Sequence, residues 1–350
     1  MLRHITPISK SSKRLASNII FNENNSTLKN LVKISTLLNK HNDNILINYI
    51  KDNDFKAEVP ENNKTFTKIF NIDSKDVKEP ELVTNYLKEI LKNEKDISNV
   101  IFNTQTLSKA IFPRLSAQLN IQPTNDIVKI VDENSFIKPM FAGNILSKVE
   151  YSPSHSGLKI LTFRTGNFPL SESEQVTEIN LNEQSNITSL PDSASVTADI
   201  PFNKFVKVEL PQDTGRPDLS QAKVIVTGGR GLKTKENFEK LITPLADSFA
   251  NVAKYNNTKA SIGATRAVVD LGFVNNSLQI GQTGKIVQPE LYVACGVSGA
   301  IQHLAGMKGS KVVVGINKEE GQPLEQVSDY TLIGDVDTVL PELTAKINSL

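Results

Sequence analysis

Residues 222–350 repeat one pattern, in which a short apolar run is followed by a turn and then by a helix or a connection. Most of these runs end in a small or polar residue, as at Gly228, Asn317 and Gly334. The runs lie at 222–227, 261–265, 291–296, 311–316 and 330–333. Alternation of buried strands with helices predicts a parallel sheet covered by helices. In open parallel sheets, ligands bind at the carboxyl ends of the strands, which is where the polar residues stand.

The N-terminal part of the chain shows a similar alternation from about residue 18 to residue 150. Strands are predicted at 44–49 and 98–102, and helices at 80–91 and 107–119. From about 136 to 210 the pattern becomes β, with strands predicted at 158–163 and 205–210 and loops at 171–195. The asparagine- and lysine-rich stretches are predicted to lie on solvated faces.

The fold class predicted from these patterns is α/β with two domains, since 350 residues exceed one ordinary core. The N-terminal α/β domain, with a parallel sheet and β additions, is placed at 18–210. A linker is placed at 211–221, where the proline- and glycine-containing sequence PQDTGRPD begins. The C-terminal domain at 222–350 is predicted to be a doubly wound parallel sheet.

The first residues have the composition of a mitochondrial transit peptide. Before Glu23 the chain carries Arg3, Lys10, Lys13 and Arg14 and no acidic residue, together with several hydroxyl residues. We therefore expect residues 1–17 to be a transit peptide, and the alternative is a disordered basic tail.

Composition excludes several classes of function. Basic and acidic residues nearly cancel, at 39 and 38, so no strong field recruits nucleic acid or a membrane surface. No apolar run approaches the roughly 20 residues that span a bilayer. Cys295 is the only cysteine and the four histidines are scattered, so neither a disulfide nor a zinc site is expected. Without a catalytic triad or paired carboxylates, any chemistry is expected to belong to a cofactor.

Two arginines follow predicted strands. Arg230 lies in GGRG, where flanking glycines leave the guanidinium available to a phosphate or an aromatic ring. The alternative is a glycine-rich turn with a solvated arginine. Thr265 and Arg266 lie in GATR, and an arginine that begins a helix is poorly matched to the helix dipole. That mismatch suggests a ligand, and the alternative is a surface arginine.

The stretch 280–303, IGQTGKIVQPELYVACGVSGAIQH, combines a glycine-flanked turn, a buried strand and a helix predicted to begin at Ser298. Backbone N–H groups of the turn and of the helix start can bind an anion. Lys285 could hold a phosphate or be solvated. His303, taken alone, is expected to be a structural or solvated histidine, and Cys295 a packed thiol.

Together these motifs resemble one family. GGRGL, GATRAVVDLGF, IGQTGKIVQPELYVACGVSGAIQHLAGMKGSK and the INK before DYTLIGD are similar to the alpha subunits of electron transfer flavoprotein, which carry FAD in an alpha/beta heterodimer. The resemblance covers essentially all of 222–350. It is thinner in the N-terminal domain, where PRLSAQLNIQPTNDIVKI and FAGNILSKV resemble family segments.

The resemblance implies a set of FAD contacts. Thr283 would hydrogen-bond near the flavin N5, Arg266 would lie by the isoalloxazine, and His303 would approach its O2 side. Asn317 and Asp335 would serve the adenosine half. The implied FAD-binding residues are Arg230, Thr265, Arg266, Ile280, Gly281, Gln282, Thr283, Ser298, Gly299, Ala300, Ile301, Gln302, His303, Asn317 and Asp335.

The resemblance also implies a function in the mitochondrial matrix. The subunit would accept electrons from acyl-CoA and related dehydrogenases and pass them to the membrane-bound electron transfer flavoprotein-ubiquinone oxidoreductase, without substrate turnover of its own. It would pair with a beta subunit, bind no nucleic acid and not be embedded in the membrane. The alternative is a nucleotide-binding module of the same fold with a structural or regulatory role. Two departures from the family are Thr265, where serine is common, and a longer connection at 253–262.

Overall fold

The computed structural model describes residues 17–38, 43–50, 55–63, 66–75, 77–94, 96–152, 157–171, 173–191, 206–207, 215–255 and 258–349. The chain divides into two compact units, Met1–Lys138 with Ser147–Val206, and Pro139–Leu146 with Lys207–Leu350. Three predicted segments lie outside the described residues: the transit peptide apart from Ser17, the strand at 205–210 apart from 206–207, and the start of the linker at 211–214.

The first unit is built on a six-stranded parallel sheet. Its strands in sheet order are β4 (Lys68–Asp73), β2 (Asn44–Ile50), β1 (Ser17–Asn22), β5 (Ile97–Asn103), β10 (Lys159–Phe163) and β6 (Thr124–Ile127). Three helices cover it: α1 (Asn25–Leu38), α2 (Pro80–Asn93) and α3 (Thr106–Leu119). Since side chains alternate along a strand, Ile19 and Phe21 pack with α2 and α3, whereas Ile20 packs with α1. The predicted strands and helices of this region are confirmed.

Further short strands lie outside this parallel sheet. β3 (Lys56–Pro60) pairs with β11 (Val176–Asn180), and a three-stranded sheet contains β7 (Lys129–Ile130), β8 (Ser135–Met140) and β9 (Ile145–Glu150). The prediction of loops throughout 171–195 was therefore wrong at β11. Its residues are exposed or half-buried, so its sequence lacks the apolar alternation that marks a strand packed on a core.

Several asparagines lie buried inside the first sheet. Asn99 donates to Asn18 Oδ1 (2.8 Å), Asn18 donates to Asn44 Oδ1 (3.2 Å), and Asn22 donates to Asn48 Oδ1 (2.8 Å). These residues lie opposite one another on neighbouring strands. Amide side chains in register can bond to one another across a parallel sheet, which lowers the cost of their burial, although the Oδ1 atoms of Asn22 and Asn99 find no partner among the described residues.

The second unit contains a five-stranded parallel sheet. Its strands in sheet order are β13 (Ser261–Ala264), β12 (Val224–Gly228), β14 (Leu291–Cys295), β15 (Val312–Asn317) and β16 (Tyr330–Ile333). Its helices are α4 (Lys235–Ser248), α5 (Arg266–Asp270), α6 (Ile301–Met307) and α7 (Val336–Asn348). One face packs on α4 and α7 and the other on α6, which confirms the predicted doubly wound sheet.

Strand order fixes where this sheet can bind a ligand. The chain moves from β12 outward to β13, then crosses back to β14 on the other side of β12. The direction of winding therefore reverses between β12 and β14, and the loops that leave their carboxyl ends diverge. A crevice at such a reversal is the usual ligand site of an open α/β sheet.

Candidate functional site

A row of backbone hydrogen bonds joins the loops at the carboxyl edge of the second sheet. Four of these bonds link the residue that follows one strand to the end of a neighbouring strand, and the fifth links Ile280, in the loop before β14, to the end of β13, so the loops form one continuous rim. The bonds run from Ile280 N to Ala264 O (2.9 Å), Thr265 N to Gly228 O (3.1 Å), Gly229 N to Cys295 O (2.9 Å), Gly296 N to Ile316 O (2.8 Å) and Gly334 N to Asn317 O (2.9 Å). All the strand ends singled out in the sequence therefore meet at one edge.

At the reversal point two glycine turns pack backbone against backbone. Gly231 N donates to Gly296 O (3.0 Å), and a Cβ on Gly229 would collide with the Gly296 carbonyl. The two turns can approach so closely because Gly229, Gly231 and Gly296 have no side chains. The crevice between β12 and β14 is therefore bounded by bare peptide groups, which can lie close to a flat ligand.

Two exposed guanidinium groups stand on adjacent strand ends. Arg230 begins a short 3₁₀ turn after β12, and Arg266 is the first residue of α5, which follows β13. Arg266 Nε lies 3.3 Å from Asp270 Oδ2, one helical turn later, in an exposed ion pair. Both side chains remain available to an anion or to an aromatic ring.

Thr265, between these arginines, carries a buried hydroxyl that is not satisfied. Its Oγ1 has no hydrogen-bond partner among the described residues, and it does not cap α5 although Thr265 stands at the N-cap position. A buried hydroxyl without a partner costs about 1–3 kcal/mol, so such groups usually mark a missing ligand, water or ion.

The loop from Gln279 to Lys285 is held in place from several sides. Gly281 has φ +151°, and Gln282 N donates to Gln302 O on α6 (2.8 Å). Gln279 Nε2 donates to Thr283 Oγ1 (3.0 Å). Because that oxygen already accepts a hydrogen bond, the Thr283 proton stays available for donation to a ligand. Lys285 forms an ion pair, in which its Nζ lies 2.6 Å from Asp218 Oδ2. A phosphate would have to compete with that carboxylate, and the ammonium group is not simply solvated.

His303 is buried beneath this loop, with only 6% of its surface exposed. Its Nδ1 lies 3.1 Å from the Ile280 carbonyl oxygen and its Nε2 lies 2.9 Å from Tyr292 Oη. Burial lowers the pKa of His303 to about 4, although the hydrogen bond to Ile280 opposes the shift. The imidazole is therefore neutral at physiological pH, and both ring nitrogens bind groups of this chain.

The segment Ser298–Ala300 is a loop, and α6 begins only at Ile301. The predicted helix start at Ser298 was therefore wrong, because Gly299 adopts φ +85°, which a right-handed helix does not allow. Ser298, Ala300, Ile301 and Gln302 are exposed along the rim. Leu324 N anchors the loop by donating to Ser298 O (3.1 Å).

Asn317 and Asp335 close the far end of the rim. Asn317 Nδ2 donates to Val297 O (3.1 Å), so its amide ties β15 to the loop after β14. Asp335 accepts from Asp337 N (3.0 Å) and caps α7. That backbone hydrogen bond, helped by Lys233 and by Lys318 (3.6 Å away), lowers the pKa of Asp335 and keeps it anionic.

The position of Cys295 within the second sheet bears on its reactivity. Cys295 is fully buried in β14, and burial raises the pKa of its thiol to about 12, which confirms the expected packed thiol. No group of three metal-ligating side chains is found within the described ranges. Nor is any described helix both long and apolar enough to cross a bilayer.

Sequence reasoning missed three residues that shape the site. Tyr292 forms a hydrogen bond with His303, and Gln279 forms one with Thr283. Asp218 forms an ion pair with Lys285. Tyrosine in an apolar strand carries a hydroxyl that needs a partner, and that signal could have drawn attention to Tyr292. Nothing in the sequence indicates that Asp218 meets Lys285, which lies 67 residues further along the chain.

Comparison with known proteins agrees with this geometry. The electron transfer flavoprotein FAD-binding domain matches residues 218–308, and the electron transfer flavoprotein domain matches 65–194. The mitochondrial electron transfer flavoprotein subunit alpha of Arabidopsis thaliana is 43% identical over 263 residues, or 75% of this chain and 68% of that protein. A probable mitochondrial subunit alpha of Saccharomyces cerevisiae is 42% identical over 268 residues, or 77% and 71%. The subunit alpha of Bradyrhizobium diazoefficiens is 41% identical over 242 residues, or 69% of each chain.

Proposed function

Because this chain belongs to the family of electron transfer flavoprotein alpha subunits, we propose that it is the FAD-carrying half of a heterodimer with a beta subunit. It accepts electrons from mitochondrial acyl-CoA and related dehydrogenases and passes them to the membrane-bound ubiquinone oxidoreductase of the same system. Family membership makes the chain an electron carrier that does not turn over a substrate, and it makes FAD the cofactor.

The observation that carries the proposal is the rim at the reversal point of the second sheet. Its bare peptide groups, its two exposed guanidinium groups and the unpartnered hydroxyl of Thr265 fit a flat cofactor with a diphosphate. The residues present are therefore suited to FAD. When bound, FAD supplies the redox chemistry, and the protein supplies orientation and electrostatics.

Fifteen residues at this edge of the sheet are proposed to bind FAD, with the roles that the resemblance to the family implies. Arg266 supplies positive charge beside the isoalloxazine, where negative charge builds on reduction. Thr283, oriented by Gln279, donates its hydroxyl proton near the flavin N5. The proposed residues are Arg230, Thr265, Arg266, Ile280, Gly281, Gln282, Thr283, Ser298, Gly299, Ala300, Ile301, Gln302, His303, Asn317 and Asp335.

His303 is proposed to act as a neutral side chain and not as a cation. We propose that His303 lies on the O2 side of the flavin. Its imidazole is neutral there, because the ring is buried and its pKa is about 4. Any positive charge near the pyrimidine ring must come from the exposed arginines. Asn317 and Asp335 are proposed to serve the adenosine half, where Asp335 offers a carboxylate that can accept hydrogen bonds from hydroxyl groups.

The mitochondrion is supported by the names of the plant and yeast relatives, and we propose the matrix as the compartment. We also propose residues 1–17 as the transit peptide, 18–210 as the N-terminal domain, 211–221 as the linker and 222–350 as the FAD-binding domain. A structural or regulatory nucleotide-binding module is the rival function. That rival function does not require a loop that leaves the Thr283 hydroxyl proton free for donation to a flavin.

Co-expression with a beta subunit tests the proposal. The expected product is a yellow heterodimer whose flavin is bleached by an acyl-CoA dehydrogenase and its substrate, and recoloured by the ubiquinone oxidoreductase with oxidised ubiquinone as the electron acceptor. The same mixture without the dehydrogenase is the control. A colourless protein that takes up no FAD would refute the cofactor site. A yellow protein that exchanges no electrons with either partner would instead support the structural module.

A further inference from the structure

We propose that Tyr292 is a positioning residue of the FAD site: its hydroxyl donates to His303 Nε2 and fixes the orientation and tautomer of that ring. His303 in turn donates to the Ile280 carbonyl and holds the loop that carries Gln282 and Thr283. The inference rests on the proposed function, since its effect is measured in FAD binding. The distances are 2.9 Å from Tyr292 Oη to His303 Nε2 and 3.1 Å from His303 Nδ1 to Ile280 O.

Hydrogen-bond chemistry determines the direction of both bonds. A carbonyl oxygen can only accept, so the proton of the pair His303–Ile280 must reside on Nδ1. A neutral imidazole has one N–H group, and Nε2 is therefore bare and accepts from Tyr292. Burial raises the pKa of the Tyr292 hydroxyl well above its usual range, which keeps the donor protonated. The ring is thus held as the Nδ1–H tautomer.

These two bonds connect three separate elements. Tyr292 lies on β14, His303 on α6, and Ile280 at the start of the loop. Ile280 and Tyr292 belong to one buried hydrophobic cluster, in which Tyr292 is fully buried, and the His303 side chain is buried as well. A buried group that loses its partner cannot turn to water, so loss of the Tyr292 hydroxyl leaves His303 Nε2 unsatisfied. The ring is then free to tilt away from Ile280, and the loop loses a support close to Thr283.

The tautomer can be read without any substitution. The measurement is the ¹⁵N NMR spectrum of the FAD-loaded heterodimer in which this chain is labelled with ¹⁵N-histidine. The His303 signal is the one that is missing from the spectrum of His303→Asn. We expect Nδ1 to be protonated and Nε2 to show the shift of a hydrogen-bonded acceptor near neutral pH. A protonated Nε2 would overturn the inference, because the ring would then donate to the flavin or to another group and could not accept from Tyr292.

Two tyrosine substitutions then separate positioning from general stability. Tyr292→Phe removes the donor, and Tyr49→Phe removes a comparable buried hydroxyl, which donates to Val77 O (2.9 Å) in the first unit. We expect Tyr292→Phe to raise the FAD dissociation constant roughly tenfold and to remove the acceptor shift of Nε2. Tyr49→Phe should change neither measurement. Equal FAD affinity in the two variants would overturn the inference, whereas failure of the wild-type protein to bind FAD would overturn the proposed function.

Discussion

Acidification is expected to destabilise this protein through one buried histidine. His303 titrates at a pKa of about 4 in the folded chain, against an ordinary value of 6.5. Between these two values the unfolded chain binds a proton that the folded chain excludes. The free energy of unfolding therefore falls as the pH falls through this range, and it is independent of His303 above it.

The size of the effect follows from the two pKa values. At about pH 5, the unfolded histidine is almost fully protonated and the folded one is mostly neutral, so the loss is about 2 kcal/mol. At about pH 4 it approaches 3 kcal/mol. A loss of this size is a large part of the stability of an ordinary domain.

The assay is urea unfolding of the heterodimer at about pH 7.5 and about pH 5, with a fixed excess of FAD because a ligand adds to stability. His303→Asn is the matched variant, since its amide nitrogen can take the place of Nδ1 and donate to Ile280 O without titrating. The variant is expected to be less stable at both pH values, with a pH-dependent loss about 2 kcal/mol smaller than that of the wild type. Equal losses in the two proteins would refute the assignment of the acid sensitivity to His303.

Three further substitutions test other parts of the site. Thr265→Val removes the unpartnered hydroxyl at nearly constant volume, so it should raise the stability of the FAD-free chain by about 1 kcal/mol and weaken FAD binding; unchanged binding in a titration would argue against a ligand at this hydroxyl. Arg266→Ala should lower the flavin reduction potential in spectroelectrochemical titration, and Arg266→Lys should restore most of it, because the charge alone stabilises reduced flavin. Gly306→Ala should weaken FAD binding although alanine favours a helix, since its Cβ would lie 2.5 Å from the Gly281 backbone; if FAD binds equally well, the loop is not held by that contact.

The second sheet could be predicted because its strands are short apolar runs that end in glycine or a polar residue. Those signals are local, and parallel pairing then places the strand ends at one edge without further information. β11 could not be predicted, since its residues are exposed or half-buried and its partner β3 is more than a hundred residues earlier in the chain. The helix start at α6 was misplaced because the positive φ of Gly299 depends on its packing against Leu324.

The environment of individual polar side chains was the least predictable part. The burial of Asn18 and Asn48 was not predicted, since it depends on the register across the sheet, which gives them asparagine partners. His303 alone was expected to be a structural or solvated histidine, and only the resemblance to a family implied that it is a cofactor residue. Its hydroxyl partner, Tyr292, lies on a strand that only the tertiary fold brings beneath α6.

The site therefore separates its charges from its buried polar contacts, and the two should respond differently to salt. The guanidinium of Arg266 is 73% exposed and pairs with an exposed carboxylate, so mobile ions can screen its field at the flavin. The bonds between Tyr292, His303 and Ile280 are buried and carry no net charge, and salt does not reach them. The potential difference between wild type and Arg266→Ala should accordingly shrink as the ionic strength rises. The loss of FAD affinity in Tyr292→Phe should persist at high salt. If both effects decreased together, His303 would act through a charge and not as a neutral residue of the hydrogen-bonded support.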